Sequence, residues 1–382
     1  MRWRVWRMRG VRMRIPWDFG SLPWRRRFPT YKRGLLLQWH ITNRCALRCA
    51  HCYQEEFSGP ELSLPDLLKV LEQYKALLRS LNNRSATNSR GHVTITGGDP
   101  FARADVWELL EVVAAHSELF GFAILTNGRS MDEASARRLA RLGPRFVQVS
   151  LEGEEQTHDG IRGDGDHAHV VRALKIMIRQ GLETMVSFTA HSENFRQFPA
   201  VVALGRRLGV GKVWTDRMIP CGASAGAEGP LPLDQEQTGE YIGIVDTERR
   251  RAARSFFGRT QVGADRALQF IAAGGRPYHC SAGDSLITIM PDGRLYPCRR
   301  MPTAVGNVME TPLARLYHSS GLFRRLRDKK TVSQGCQGCM YQRFCRGGLK
   351  CLSHAALGDP FQADPGCPLA HAQALQNVNF IL

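Results

Sequence analysis

Three cysteines, Cys45, Cys49 and Cys52, fall at C-x-x-x-C-x-x-C spacing just after the apolar run Leu35-Leu36-Leu37-Gln38-Trp39, and the next cysteine is Cys221. This spacing constrains the chain more than any other feature, because three soft ligands must converge on one short loop behind a strand. Iron–sulfur cubanes usually take four thiolates, and structural zinc sites also close with four ligands. A compact set of three therefore points to a 4Fe–4S cubane with one iron left for something other than protein. The same residues also read as zinc held together with His51 or His40, or as a C-x-x-C redox dithiol.

From residue 34 onward, strand-like and helix-like segments alternate. The strand-like runs are 34–41, 92–96, 120–125, 146–151, 183–189 and 212–217. Helical periodicity occupies 64–81, 105–117, 132–142, 167–179 and 195–208, with Ser63 and Pro65 as start signals for the first of these. Six strands with helices between them predict parallel pairing through helical crossovers, in an α/β fold. Such folds keep their chemistry at the carboxyl ends of the strands. Residues 222–275 read as a linker around a polar helix at 235–254, and after 276 the chain turns to short strands, turns and cysteines.

Polar motifs sit at the predicted strand ends. The second strand ends in Gly97-Gly98-Asp99-Pro100, the third in Thr126-Asn127-Gly128, and the fourth in Ser150-Leu151-Glu152-Gly153 followed by His158-Asp159 and Arg162-Gly163. Paired glycines let a ligand approach the backbone closely, although a strand-to-helix turn also uses them. Strand-end Ser and Asn equally serve as turn formers. A second cysteine constellation lies near the C-terminus: Cys280 and Cys298 around Gly293, then Cys336-x-x-Cys339-x5-Cys345, then Cys351 and Cys367. Residues 287–298 read as a hairpin turning at Asp292-Gly293.

The cysteine triad with Gly97-Gly98-Asp99-Pro100 one β/α unit later resembles the radical S-adenosylmethionine (SAM) enzymes, whose motif has Glu where this chain has Asp99. The C-terminal set resembles the SPASM domain, which carries two auxiliary iron–sulfur clusters. One departure is C-x5-C between Cys345 and Cys351, where that pattern has C-x3-C. The resemblance covers roughly residues 34–370 and implies a partial (β/α)6 TIM-like barrel at 34–221, a helical linker at 222–275 and a small cysteine-rich SPASM domain at 276–382.

It further implies that Cys45, Cys49 and Cys52 hold a 4Fe–4S cluster whose open iron chelates SAM, and that reductive cleavage yields a 5′-deoxyadenosyl radical. Gly97, Gly98, Asp99 and Pro100 would orient the methionine moiety. His51, Asn127, Ser150, Glu152 and Arg162 would complete the SAM site. Cys336, Cys339, Cys345 and Cys367 would ligate an outer auxiliary cluster, and Cys280, Cys298 and Cys351 an inner one. The inner cluster's remaining iron would be open to substrate or closed by Cys221. A zinc ribbon at Cys336, Cys339 and Cys345 is the other reading of that region.

Arg299 and Arg300 follow Cys298 where sulfatase-maturing enzymes of the superfamily have an acidic base. Their presence argues against that activity and for a carboxylate-bearing or acidic substrate. Cys221, Arg299 and Arg300 are the candidate catalytic residues. The expected substrate is a ribosomally made peptide, and the alternative is a small molecule in haem-derived or quinone cofactor synthesis. A flavodoxin- or ferredoxin-type electron donor and a separate peptide-recognition protein are the expected partners.

Composition narrows the setting. The formal charge is +17, and residues 1–33 carry eleven Arg and Lys against one Asp, with Trp3, Trp6, Trp17 and Trp24 interleaved. This basic arm can bind nucleic acid, an anionic membrane or an acidic peptide, and it can equally be without function. No stretch is apolar enough to span a bilayer, and cysteines in C-x-x-C patterns without a signal peptide point to metal binding in a reducing cytoplasm. A non-enzymatic iron–sulfur electron carrier and a nucleic-acid-modifying radical enzyme are the rival classes. Full ligation of every cluster would favour the first, and salt-dependent RNA binding the second.

Overall fold

The structure is a computed structural model that describes residues 34–83, 89–222, 230–254, 260–264, 268 and 279–370, with the backbone of two short strands near the N-terminus. Those two, β1 (Arg4–Met8) and β2 (Val11–Ile15), pair antiparallel as a separate ribbon. The remainder of the basic arm, with its expected binding role, lies outside the described residues.

Six strands, β3 (Leu36–His40), β4 (Gly91–Thr96), β5 (Phe120–Thr126), β6 (Val147–Ser150), β7 (Thr184–Ala190) and β8 (Lys212–Arg217), pair in parallel and in sequence order. A doubly wound sheet would reverse its strand order at a switch point. This one never does, so the helices stay on one face and the fold is the partial (β/α)6 barrel. The crossovers are α1 (Leu64–Asn83), α2 (Val106–Ala114), α3 (Glu133–Leu142), α4 (Glu155–Arg162) with α5 (Asp166–Arg179), and α6 (Phe198–Leu208). Helix starts follow ordinary capping chemistry: Asp132 accepts from the Ser135 N–H at 2.8 Å, and Gly143 closes α3 in the left-handed conformation at φ 67°.

Each strand alternates between two environments. Leu37, Trp39, Val93, Ile95, Val147, Val149, Val186, Phe188 and Val213 are fully buried beneath the helices. Their alternate neighbours Thr96, Gln148, Ser150, Ser187, Thr189, Trp214 and Asp216 face the concave side and line a cleft. A period of two thus separates the packed face from the chemical face.

Both sheet edges carry strands beyond the six. β9 (Gln261–Gly263) pairs parallel with β8, so the segment expected to be a helical linker holds a strand as well as α7 (Gln235–Arg254). The expected C-terminal hairpin forms as β10 (Leu286–Ile289) and β11 (Leu295–Tyr296), but β10 also pairs parallel with β3. The cysteine-rich region is therefore stitched into the barrel sheet. This covers the backbone of β3 that would otherwise be an open edge. Among the described residues no helix is long and apolar enough to cross a membrane.

His92 makes an acid-sensitive contact within the fold. His92 stacks on Phe146 with ring centroids 6.0 Å apart, and burial, with Arg145 adding to it, lowers its pKa from 6.5 to about 4. Its folded value lies below its unfolded value, so this stability is complete above pH 6.5 and is lost as pH falls through about 4. His92→Phe keeps the stack and should remove on the order of 2 kcal/mol of the loss across that window, read from melting temperature against pH.

Candidate active site

The loop after β3 is held by its neighbours. Gly98 N–H donates to the Thr42 carbonyl at 2.9 Å and Asp99 N–H to the Arg44 carbonyl at 2.8 Å. Glu61 gathers the Thr42 hydroxyl, the Asn43 N–H at 3.0 Å and the Arg44 guanidinium at 3.0 Å. Arg103, buried, donates to the carbonyls of Ile41 at 2.8 Å and Leu62 at 3.1 Å, closing the loop at both ends.

The paired glycines have a clear local cause. A Cβ on Gly97 would lie 2.3 Å from the Thr42 carbonyl oxygen, and one on Gly98 would lie 2.3 Å from that of Arg44. Both glycines therefore let β4 press against the backbone of the cysteine loop. Gly98→Ala should shift that loop and lower the iron bound at Cys45, Cys49 and Cys52, with the C-terminal sites unaffected. Iron counts and electron paramagnetic resonance (EPR) of the reduced protein would check it.

Asp99 is 4% exposed and fully occupied by the fold: its carboxylate accepts from Phe101 N–H at 2.9 Å, the Thr126 hydroxyl at 2.7 Å and Asn127 N–H at 2.7 Å. Burial raises its pKa against those three donors. Asp99 and Pro100 are absent from the cleft lining among the described residues, unlike Thr96, Gly97 and Gly98. The Asp99 side chain is thus held within the fold, while Thr96, Gly97 and Gly98 line the cleft. Asp99 instead ties the end of β4 to the end of β5, which positions Asn127 with its Nδ2 3.7 Å from Cys45 Sγ.

On the other side of the loop, His51 Nε2 meets Glu152 Oε1 at 3.2 Å, and Glu152 also accepts from Thr189 N–H at 2.8 Å. Burial would push the Glu152 carboxyl up, but His51, then Arg162 and the Thr189 N–H, hold it down at about 2. Arg162, at the end of α4, lies 3.8 Å from Glu152 and donates to Asp166 at 3.0 Å; Asp166 also pairs with Arg129 at 2.8 Å and with His158 at 3.2 Å. Sequence reading named His51, Glu152 and Arg162 but not Asp166, although its i,i+4 spacing from Arg162 was a usable signal.

The far wall comes from β8 and the C-terminal region. Arg300 pairs with the buried Asp216 at 2.8 Å, and the Arg299 guanidinium lies 5.0 Å from the centroid of the Tyr53 ring. Arg300 is thus already charge-matched by the fold, which sequence reading did not foresee. Together these parts enclose a cleft of about 1050 Å³, open-mouthed volume included, into which Cys45, Cys49, Cys52, Asn127, Ser150 and Arg162 all face.

The thiols form three groups. Burial pushes Cys49 up to about 11; Arg162 opposes, and Cys52 and Cys45 add to the rise. Burial pushes Cys336 up to about 12, with Cys367, Cys345 and Cys339 each adding. Cys351 is raised well above its ordinary value by a hydrogen bond with Cys298, then by burial, with Cys280 also contributing. None of the eleven cysteines is joined in a disulfide, and among the described residues no three His, Cys, Asp or Glu side chains are grouped for a single metal ion. Buried thiols crowded in this way resist ionising until a metal displaces their protons. Groups of three and four thiols that share a neighbourhood fit the ligand sets of 4Fe–4S clusters.

The sequence model of the Radical SAM superfamily matches residues 39–204, and that of the iron–sulfur cluster-binding SPASM domain matches residues 280–340. The mycofactocin maturase MftC of Mycobacterium ulcerans is 30% identical over 352 residues, 87% of this chain and 87% of its own. The PqqA peptide cyclase of Gluconobacter oxydans is 27% identical over 86% of this chain and 89% of its own. An AdoMet-dependent heme synthase of Methanosarcina barkeri is 22% identical over 87% of this chain and 95% of its own. The crystal structure of Streptococcus suis SuiB bound to S-adenosylmethionine shares the fold with a TM-score of 0.66 at 17% identity, covering 88% of this chain and 77% of that one.

Proposed function

Since this chain belongs to the radical SAM superfamily and carries its SPASM domain, with 4Fe–4S clusters and SAM as cofactors, we propose that it modifies a ribosomally made peptide by thioether, carbon–carbon or oxidative chemistry. The observation that carries this reading is the convergence of Cys45, Cys49 and Cys52 with strand-end polar groups in one cleft. When bound, the cluster and SAM supply a 5′-deoxyadenosyl radical for hydrogen abstraction.

The chain's own residues do the rest. Cys45, Cys49 and Cys52 bind the cluster in a loop fixed by Glu61 and the two glycines. Asn127 and Ser150 offer hydrogen bonds along the cleft, and Arg162, held by Asp166 and Glu152, adds positive charge at its wall. The His51–Glu152 pair fixes the imidazole at the cleft wall. The barrel wall and Tyr53 keep water from the reacting centre. Cys336, Cys339, Cys345 and Cys367 hold the outer auxiliary cluster, and Cys280, Cys298 and Cys351 the inner one. The boundaries at 33, 221 and 275 remain the proposed division of the chain.

The PqqA peptide cyclase relative supports a peptide substrate. The heme synthase relative favours a carboxylate-rich small molecule, as do Arg299 and Arg300. Arg300 is however held by Asp216, so a propionate would have to compete with a buried carboxylate for it. The peptide reading is the better one for that reason. A flavodoxin- or ferredoxin-type donor, a separate peptide-recognition protein and a cytoplasmic setting complete the proposal.

Deuterium transfer tests the substrate class. Short peptides encoded beside the gene, made with deuterated side chains, should yield deuterated 5′-deoxyadenosine on incubation with the reduced enzyme and SAM. Label arriving only from a deuterated tetrapyrrole would overturn the peptide reading.

A further inference from the structure

The inner auxiliary site, read as Cys280, Cys298 and Cys351, is one thiolate short of a closed cubane. Resting on that reading, we propose that Cys221 is the fourth ligand, so that the inner cluster is held by protein alone and the SAM cluster is the chain's one open site.

Cys221 follows β8 at a sharp bend: Met218 N–H donates to the Ala190 carbonyl at 2.8 Å, and Cys221 N–H to the Ile219 carbonyl at 2.8 Å. The next residue, Gly222, has φ 67°, and a Cβ there would lie 2.3 Å from the Tyr53 carbonyl. Only glycine fits, so the backbone at 221–222 is pressed against the residue that follows Cys52. The bend decides where the thiol goes. Met218 and Ile219 line the cleft, whereas Cys221 is absent from its lining among the described residues. Cys221 instead packs, together with Cys298, on the buried cluster that contains Cys351, Met301, Leu352 and Phe361.

Two roles for Cys221 were open on sequence grounds. A catalytic thiol serving the substrate must line the cleft, and among the described residues the lining includes Met218 and Ile219 but not Cys221. A ligand of the inner site must lie with Cys298 and Cys351, and Cys221 packs beside Cys298 on the buried cluster that contains Cys351. Burial pushes the thiol up to about 11, while Arg300 opposes and Cys298 and Cys52 add to the rise. Ligation is a simple exchange: the thiol gives its proton to solvent, its sulfur replaces a non-protein ligand on iron, and no electron is transferred. Arg300, close to Cys298 and Cys351 as well, offsets part of the negative charge gathered there.

The test uses the full-length chain with Cys45, Cys49 and Cys52 all replaced by alanine, so that only the auxiliary sites load. With Cys221 present, imidazole should leave the EPR spectrum of the dithionite-reduced protein unchanged. Adding Cys221→Ala should create an imidazole-dependent shift. If the alanine variant does not fold, Cys221→Ser decides: an oxygen ligand should retain the iron and alter the spectrum. An imidazole shift already present with Cys221 intact, or a serine or alanine variant spectroscopically identical to its parent, would overturn the assignment. A parent that binds well below about eight irons would instead overturn the two-cluster reading of the C-terminal region, and the inference with it.

Discussion

Alanine at Cys45, Cys49 or Cys52 is expected to lower 5′-deoxyadenosine formation to below about one-thousandth of the wild-type rate, because the protein's role here is to hold the cofactor that carries the chemistry. The loss should be catalytic rather than structural. Cys45 is partly exposed, and its Sγ accepts from Leu47 N–H at 3.4 Å and from Asn127 Nδ2 at 3.7 Å. The loop itself is anchored through Glu61, Arg103 and Gly98, none of which the substitution touches. Circular dichroism and melting should therefore stay close to wild type while about a third of the iron is lost, as three cubanes falling to two requires. Retained 5′-deoxyadenosine in any of the three variants would contradict the ligand assignment.

The largest expected stability effect lies at the junction of the barrel and the cysteine-rich region. Arg217, at the end of β8, makes a bidentate pair with Asp364 at 2.9 and 2.6 Å, and both side chains are at least 96% buried. Asp364 also accepts from Leu349 N–H at 3.0 Å and Gly366 N–H at 3.0 Å, which shapes the segment leading to Cys367. Asp364→Ala leaves a guanidinium buried without its counter-charge, and should cost about 3–5 kcal/mol. Chemical denaturation would measure it. The double replacement Arg217→Met with Asp364→Leu should recover only part of the loss, since the apolar pair leaves no buried charge but deprives the Leu349 and Gly366 N–H groups of their acceptor. A single-variant loss below about 1 kcal/mol would mean that the pair is solvated and that the junction is held elsewhere.

The contrast between these two sites shows what was legible in the sequence. Cys45, Cys49 and Cys52 lie within one loop, and their spacing alone announces a shared ligand. The six parallel strands were equally readable from local hydrophobic pattern, and β8 falls at residues 212–217 as expected. The choice between a barrel and a doubly wound sheet was not readable, because strand order is a long-range property that local periodicity does not encode. The partners of β10, of Arg217 and of Arg300 were hidden for the same reason: β10 pairs with β3, some 250 residues earlier, and Asp364 lies 147 residues from Arg217. Gly97 and Gly98 were legible as glycines that need close approach. What they approach, the backbone of the cysteine loop, emerged only from the packing. The structural role of Asp99 was not legible either. A carboxylate in a ligand-binding motif looks like a ligand contact, yet three internal donors already use it.

Anaerobic reconstitution followed by iron and sulfide counts, with dithionite and SAM added and 5′-deoxyadenosine assayed, tests the central claim most directly. The account predicts about twelve irons per chain, on the basis of three cubanes, together with 5′-deoxyadenosine. Zinc in place of iron, or a full complement of iron that forms no 5′-deoxyadenosine, would contradict it.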